Sequence, residues 1–514
     1  MCGIAGIWGT SDDIAVRQMM DAMVHRGPDD AGTYSSDSGG VLGHRRLSIM
    51  DPAGGHQPIE RIGDDCAIVA NGEIYNFPQL RVDLATRHRF RTRSDSEAAL
   101  HLYREAGVHT AKQLDGMFAL AIADGEELYL ARDPLGIKPL YYGQHAGGLA
   151  FASELKALVG QAEDVREFPP GTWFHSRHGF QRYYEVPDGS PMPGSLTEHL
   201  RNVRAALEQA VVKRLMSDVP VGAFLSGGLD SSIIAAIARL HLDELHTFSV
   251  GIEGSRDIQA ARLVARHLGT VHHEYILTPD EVLAALPEII YFLESFDQDL
   301  VRSAIPCYFT SRLASAFVKV ILTGEGADEL FAGYEYYRTI TCPRQLDREL
   351  RHSVSSLHNI NLQRVDRLTM AHSIEGRVPF LDLDLIQVAQ SIPPELKLFK
   401  NDNGQIIEKW VLRKAFEDLL PSDIVWRDKE QFDEGSGTTE ILADVVGCWM
   451  TTHETEQYAE THRVSRLRSL EECVYHKLLV EAFPCSSCVL GNVARWSERP
   501  ELSPRTPAEV RKCR

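Results

Sequence analysis

The 514-residue chain has no uninterrupted apolar run of 18 or more residues, so nothing in it reads as a membrane-spanning helix. Its opening, Met1-Cys2-Gly3-Ile4-Ala5-Gly6-Ile7-Trp8, lacks a basic stretch and is broken by glycine, so it does not read as a signal peptide. Positive charge is scarce. Lys+Arg 53 against Asp+Glu 72 leaves a net −19, which argues against a nucleic-acid surface while permitting a local basic pocket. The nine cysteines are odd in number and lack framework spacing, which suits a reducing, cytoplasmic compartment. Cys485-Ser-Ser-Cys488 has no second pair, so unligated thiols are expected there rather than zinc. His272-His273-Glu274 lacks the His-Glu-x-x-His spacing and reads as a strand-end cluster. Internal repeats are absent as well. The remaining composition, 44% hydrophobic and 24% charged, is that of a soluble globular protein, and the length calls for two domains.

The most informative stretch is Leu225-Ser-Gly-Gly-Leu-Asp-Ser-Ser232. A strand-like run, 219–225, leads into it and an apolar helical run, 233–240, follows. Gly227 and Gly228 let backbone N–H groups approach a ligand, Ser226, Ser231 and Ser232 add hydroxyls, and the helix N-terminus favours negative charge. This is a phosphate-holding device without the Walker spacing. Ser-Gly-Gly-x-Asp-Ser resembles the PP-loop of ATP pyrophosphatases, which cleave ATP between the α and β phosphates. The resemblance makes ATP the expected co-substrate and Asp230 a ligand of Mg²⁺, which typically takes one or two carboxylates plus phosphate oxygens.

At the other end, removal of Met1 would expose Cys2 with a free α-amine, an N-terminal nucleophile carrying its own base. A second-position cysteine alone says little. Here it is followed by His25-Arg-Gly-Pro-Asp29, Gly43-His-Arg-Arg-Leu-Ser-Ile49, Asn71-Gly-Glu-Ile-Tyr-Asn76 and Arg93-Ser-Asp-Ser-Glu97. Together these resemble the glutaminase domain of class II amidotransferases, N-terminal nucleophile hydrolases with an αββα sandwich. The resemblance implies that the Asn71 side chain and the Gly72 N–H meet the oxyanion, that Arg46 forks onto the α-carboxylate of glutamine, and that Asp95, with Glu73 close by, takes its ammonium. Arg26 is expected to support the site, Arg132 and Asp133 to form a structural salt bridge, and Glu154 to lie near the interdomain face. Residues 115–122 and 128–142 read as strands joined by a turn.

Pro187-Asp-Gly-Ser-Pro-Met-Pro-Gly194 is a linker, which places domains at 1–190 and 195–514. Ser195-x-x-Glu198 reads as a capping box opening a helix with Leu200, Val203, Leu207, Val211 and Leu215 on one face. Strands at 246–251 and 318–323, each ending in glycine-containing turns, imply an α/β domain with a parallel sheet that binds ligand at its C-terminal edge. With 363–382 and 426–432, these segments resemble glutamine-hydrolysing asparagine synthetases from Cys2 to about Gly437. The resemblance places ATP on Leu225, Ser226, Gly227, Gly228, Asp230, Ser231, Val250, Thr323, Gly324 and Lys429. It assigns Mg²⁺ to Asp230 and Asp328, acid/base or orienting work to Glu325, and the acceptor acid to Arg302 and Glu325.

The implied reaction amidates the aspartate side chain through an aspartyl-AMP, with glutamine and aspartate as further substrates and a homodimer as the assembly. One departure bears on the acceptor. Asp299-Leu-Val-Arg-Ser-Ala-Ile305 replaces a hydroxyl-rich family motif, which leaves open an enzyme that amidates a different carboxylic acid in a specialised pathway. An intramolecular amide synthetase would have no use for the intact glutaminase set. A non-catalytic nucleotide-binding protein would show erosion at Cys2, Asp230, Glu325, Asp328 or Lys429, and none is present. The 470–479 stretch is expected to be helical, and no catalytic residue is expected after Gly437.

Overall fold

The structure, a computed structural model, describes residues 2–496 apart from 38, 62, 64, 190, 428–434, 438–441, 443–445, 485 and 486. Its first half is two six-stranded antiparallel sheets packed face to face. The strands are β1 (Cys2–Trp8), β2 (Asp30–Ser36), β3 (Gly40–Arg46), β4 (Ile59–Glu60), β5 (Cys66–Ile74), β6 (Gly116–Asp124), β7 (Glu127–Arg132), β8 (Tyr141–His145), β9 (Gly148–Ala152), β10 (Glu163–Glu167), β11 (Thr172–His175) and β12 (Gly179–Arg182). One sheet runs β10-β8-β9-β1-β3-β2 and the other β12-β11-β7-β6-β5-β4.

Side-chain alternation explains the stacking. In β1, Ile4 and Trp8 point between the sheets while Ala5 and Ile7 point outward onto helix α1 (Asp13–Asp21). In β6, Ala119, Ala121 and Ala123 face inward, and Phe118, Leu120 and Ile122 face helix α3 (Asp95–Ala106). Layers of helix, sheet, sheet and helix result, which is the expected αββα sandwich. The single strand expected over 128–142 is interrupted, because 133–140 is a loop. Asp133 organises it, accepting backbone N–H from Phe118, Leu135, Ile137 and Lys138 at 2.9–3.2 Å. Arg132 and Asp133 are therefore both structural but not paired with each other: Arg132 Nη1 lies 2.8 Å from Glu167 Oε1.

The second half is a five-stranded all-parallel sheet in the order β15-β14-β13-β16-β17. Its strands are β13 (Val221–Phe224), β14 (His246–Gly251), β15 (Val271–Ile276), β16 (Val320–Leu322) and β17 (Glu375–Arg377). The Leu196–Lys213 helix opens with the Ser195/Glu198 capping box. Helices Leu229–His241 and Gln298–Ala314 flank the sheet within two separate buried clusters. His272 and His273 lie within β15 rather than at its end. Leu470–Ala482 is helical and packs into the cluster containing Leu300, Val301 and Ile305.

Cys2, Cys66, Cys307, Cys473 and Cys488 are free thiols, whereas Cys342 is disulfide-bonded, so the expectation of reduced cysteines does not extend to Cys342. The Cys485-x-x-Cys488 segment lies partly outside the described residues.

Candidate active sites

The first site forms at one end of the sandwich. Cys2 is the first residue of β1 and Arg46 the last of β3, and the two are cross-strand partners. Asn71, Gly72 and Glu73 lie near the end of β5, and Asp95 opens α3 behind the Ser94 cap. Cys2 N donates to Asn71 Oδ1 at 3.0 Å. The other end of that amide, Nδ2, is buried without a hydrogen-bond partner. A buried unmade donor costs about 1–3 kcal/mol, and this one belongs to the amide that holds Cys2 N. Gly72 has φ +144, and a Cβ on it would meet the Met117 carbonyl oxygen at 1.9 Å, so only glycine lets β5 continue here beside β6. Burial pushes the Cys2 thiol up, so it stays protonated until a base takes the proton.

Two acids complete the pocket. Burial pushes Asp95 up to about 6 despite N–H donation from Ile74 (2.7 Å) and Ser96 (2.9 Å). Glu73 is pushed well above the carboxylate range by burial and then by the charges of Glu375 and Asp95, and its Oε2 has no partner. Two buried acids, one with an oxygen that has no partner, are suited to an ammonium group. Arg46 is 5% exposed, and its two terminal nitrogens donate to the carbonyls of Met50, Asp51 and Pro52. Those bonds fix the plane of the guanidinium at the end of β3.

The second site lies at the C-terminal edge of the parallel sheet, in a cleft of about 1080 Å³ including its open mouth. The helix begins at Leu229, earlier than its apolar run, so Asp230 and Ser231 stand in its first turn. Ser231 Oγ accepts from Ser226 N at 3.3 Å, and Ser226 Oγ accepts from Gly228 N at 3.2 Å, which closes the loop on itself. Leu225, Ser226, Gly228, Asp230, Ser231, Val250, Thr323, Gly324, Glu325 and Asp328 all line the cleft.

Its centre is a cation that the motifs did not reveal. Lys409 Nζ lies 2.5 Å from Asp230 Oδ2 and 2.6 Å from Asp328 Oδ1, one ammonium spanning both acids. Asp230 Oδ1 remains buried and unpartnered. A Cβ on Gly333 would lie 1.9 Å from Asp328 Oδ1 and 2.1 Å from Lys409 Cε, so glycine is required for this approach. Arg427 adds a second cation, donating to Asp257 Oδ1 at 2.8 Å.

Residues 1–212 match the family model of the glutamine amidotransferase domain, and residues 202–354 and 342–481 match that of asparagine synthase. Three relatives carry the name asparagine synthetase (glutamine-hydrolyzing). The Triphysaria versicolor protein is 41% identical over 461 residues, 85% of this chain and 78% of its own. The Sandersonia aurantiaca protein is 38% identical over 511 residues, covering 94% and 96%. The second Oryza sativa subsp. japonica form is 41% identical over 513 residues, covering 94% and 85%. The chain belongs to the glutamine-hydrolysing asparagine synthetases.

In this asparagine synthetase family member the two sites are tied by buried ion pairs. Arg26 is fully buried. Its Nε donates to Cys2 O (3.0 Å), Nη1 to Glu154 Oε1 (2.7 Å) and Asp366 Oδ2 (2.7 Å), and Nη2 to Asp366 Oδ1 (3.1 Å). Asp366 lies on the Asn361–Met370 helix, and Arg364 of the same helix pairs with Glu325 in the cleft. That helix thus contacts both the arginine on the nucleophile's carbonyl and the acid of the second site. Glu154 is the hub on the sandwich side; burial opposes its ionisation, but Lys156, His25, Arg367 and Arg26 together hold it well below the usual carboxylate range. A second tie runs from Thr323, whose N–H donates to Arg377 O at 2.9 Å, through Arg377 Nη2 to Glu73 Oε1 at 3.4 Å.

Three site expectations sit elsewhere; Gly227, in the loop itself, is not among the residues lining the cleft. Lys429 lies outside the described residues. Arg302 is not among the residues lining the cleft; it makes a bidentate pair with Glu471 of the Leu470–Ala482 helix, at 2.8 and 2.6 Å. The hydroxyl of Ser303 is turned back onto the carbonyls of Asp299 and Leu300 (both 3.1 Å). Among the residues missed, Lys409 sits in Glu408-Lys409-Trp410, which carries no phosphate-loop signature.

Proposed function

We propose that the chain makes asparagine from aspartate, with ammonia released from glutamine in the first site and ATP consumed in the second. The observation that carries this reading is the buried, unpartnered Nδ2 of Asn71 on the amide that holds Cys2 N. With Met1 removed, the Cys2 α-amine takes the thiol proton and the thiolate attacks the amide carbon of glutamine. Asn71 Nδ2 and the Gly72 N–H receive the oxyanion. The proton passes to the leaving nitrogen, ammonia departs, and water hydrolyses the γ-glutamyl thioester to glutamate. Asp95, with Glu73, holds the substrate ammonium, and Arg46 its carboxylate.

In the cleft, a β-carboxylate oxygen of aspartate attacks the α-phosphorus of ATP, and pyrophosphate leaves. Ammonia then attacks the acyl carbon of the adenylate, AMP departs with the bonding pair, and the nitrogen loses a proton. Ser226, Gly227, Gly228 and Ser231 hold phosphate oxygens, with Leu225, Val250, Thr323 and Gly324 around the nucleotide. Lys409 and Lys429 supply positive charge to the departing pyrophosphate. The orphaned Asp230 Oδ1, with Asp328 beside it, fits Mg²⁺. When bound, that ion neutralises charge on the phosphate oxygens. Glu325, oriented by Arg364, faces the acceptor.

A specific observation favours the second reading, a different acceptor acid: Arg302, the expected carboxylate ligand, is already paired with Glu471. A homodimer and a cytoplasmic location belong to the proposal; among the described residues no helix is long and apolar enough to cross a membrane.

Pyrophosphate release with Mg-ATP and glutamine, measured across a panel of carboxylic acids beside Cys2→Ala supplied with ammonium, tests both readings. Aspartate-dependent turnover that Cys2→Ala retains with ammonium and loses with glutamine supports the first. Turnover with another acid and none with aspartate supports the second.

A further inference from the structure

A basic hollow in this acidic protein lies on the connection between helix α2 (Phe77–Leu84) and α3. It encloses about 670 Å³ including its mouth and is lined by Arg61, Arg87, Arg89, Arg91, His88 and His101, against the acids Glu60 and Glu97. In a chain of net charge −19, four guanidiniums around one hollow are a local construction rather than a general surface property. Neither acid offsets them fully. Glu97 spends both oxygens on Arg91 N, Thr92 N and Thr92 Oγ1, each at 2.7 Å. Arg87 is matched by Glu105 and Asp83. Arg91 Nη1 reaches the Glu60 carbonyl at 3.3 Å. Arg89 is exposed and has no hydrogen-bond or ion-pair partner among the described residues.

The imidazoles give an independent indication of a ligand. His101 is 3% exposed, its Nε2 lies 3.4 Å from Glu97 Oε1, and its Nδ1 has no partner. His88 stacks on it at 4.9 Å between ring centroids, with Nε2 2.7 Å from Glu105 Oε1 and Nδ1 again buried and unpartnered. Buried polar atoms are ordinarily paired, so two orphaned nitrogens side by side among arginines describe a site short of a polar group. A tetrahedral dianion offers four acceptor oxygens to guanidinium forks and imidazole N–H groups, whereas a lone carboxylate offers two.

We propose that this hollow binds a small phosphate-bearing anion, separately from the glutamine pocket and the ATP cleft. Its loop, through Arg89 and Arg91, runs directly into Ser94 and Asp95, so the anion rests on the segment that delivers Asp95 to the glutamine pocket.

Isothermal titration calorimetry of the full chain with inorganic phosphate tests this, with the ATP cleft first filled by α,β-methylene-ATP so that its own phosphate affinity is silent. The expected result is saturable binding of one phosphate per chain, weakened at least tenfold in the double variant Arg89→Gln/Arg91→Gln. Both side chains are exposed, and an unchanged unfolding midpoint verifies that the variant is folded. Glycerol 3-phosphate in a parallel arm distinguishes free phosphate from a phosphomonoester, and loss of either in the variant supports the site. Absence of saturable binding of both probes to the wild type, or equal affinity in the variant, overturns it.

Discussion

Replacing Asn71 by alanine isolates the chemistry of the first site from that of the second. Asn71 is fully buried, its Oδ1 holds Cys2 N at 3.0 Å, and its Nδ2 has no partner in the free protein. The donor therefore loses no existing bond when an oxyanion forms, and its whole interaction is gained in the transition state. Removing one such donor typically costs about 2.7–4 kcal/mol, or about 10²–10³ in kcat. The lost Cys2 hydrogen bond adds roughly 1 kcal/mol to the loosening of the nucleophile. Deleting the side chain also removes a buried donor that was never satisfied, so the folding cost falls below that of an ordinary buried amide. The assay is glutamate release from glutamine, run beside pyrophosphate release with ammonium as nitrogen donor. Glutaminase kcat should fall at least a hundredfold, while ammonium-dependent turnover stays within about twofold. Glutaminase activity within threefold of wild type would refute the oxyanion assignment. Equal loss of both activities would show instead that Asn71 holds the interface.

Three further outcomes follow from the same geometry. Because burial holds Asp95 at about 6 in the free protein, while pairing with the substrate ammonium favours its charged form, glutamine binding at pH 6 should release a proton; the KM for glutamine should rise about tenfold for each pH unit below 6, read from initial rates in constant-ionic-strength buffers. Asp366→Ala leaves the fully buried Arg26 with Glu154 as its one remaining carboxylate, and a loss of up to the about 3–5 kcal/mol typical of breaking a buried pair should appear as a lower urea midpoint, with a shift under 1 kcal/mol counting against the interdomain tie. Glu471→Gln weakens a partly buried competitor for Arg302, so the KM for the acceptor acid should fall about fivefold, roughly 1 kcal/mol, with the KM for ATP unchanged.

The sequence by itself carried the chemistry that is local along the chain. Cys2, the Asn71-Gly72 pair, the serine–glycine loop and the Gly-Glu-Gly-Ala-Asp turn each occupy a few consecutive residues whose backbone demands are written in glycine, serine and β-branched neighbours. The capping box at Ser195 and the strand over 115–122 were legible for the same reason, since each depends on neighbours two to four positions away. What crosses the chain was decided only by the tertiary structure. Arg26 and Asp366 are 340 residues apart, Lys409 and Asp230 are 179, and Arg302 and Glu471 are 169. A lysine or glutamate reads the same in sequence whether it meets water or a buried acid. Packing supplies the difference, by removing solvent and leaving each charge only the groups packed against it, and it makes Lys409 the centre of the cleft while it turns Arg302 toward Glu471.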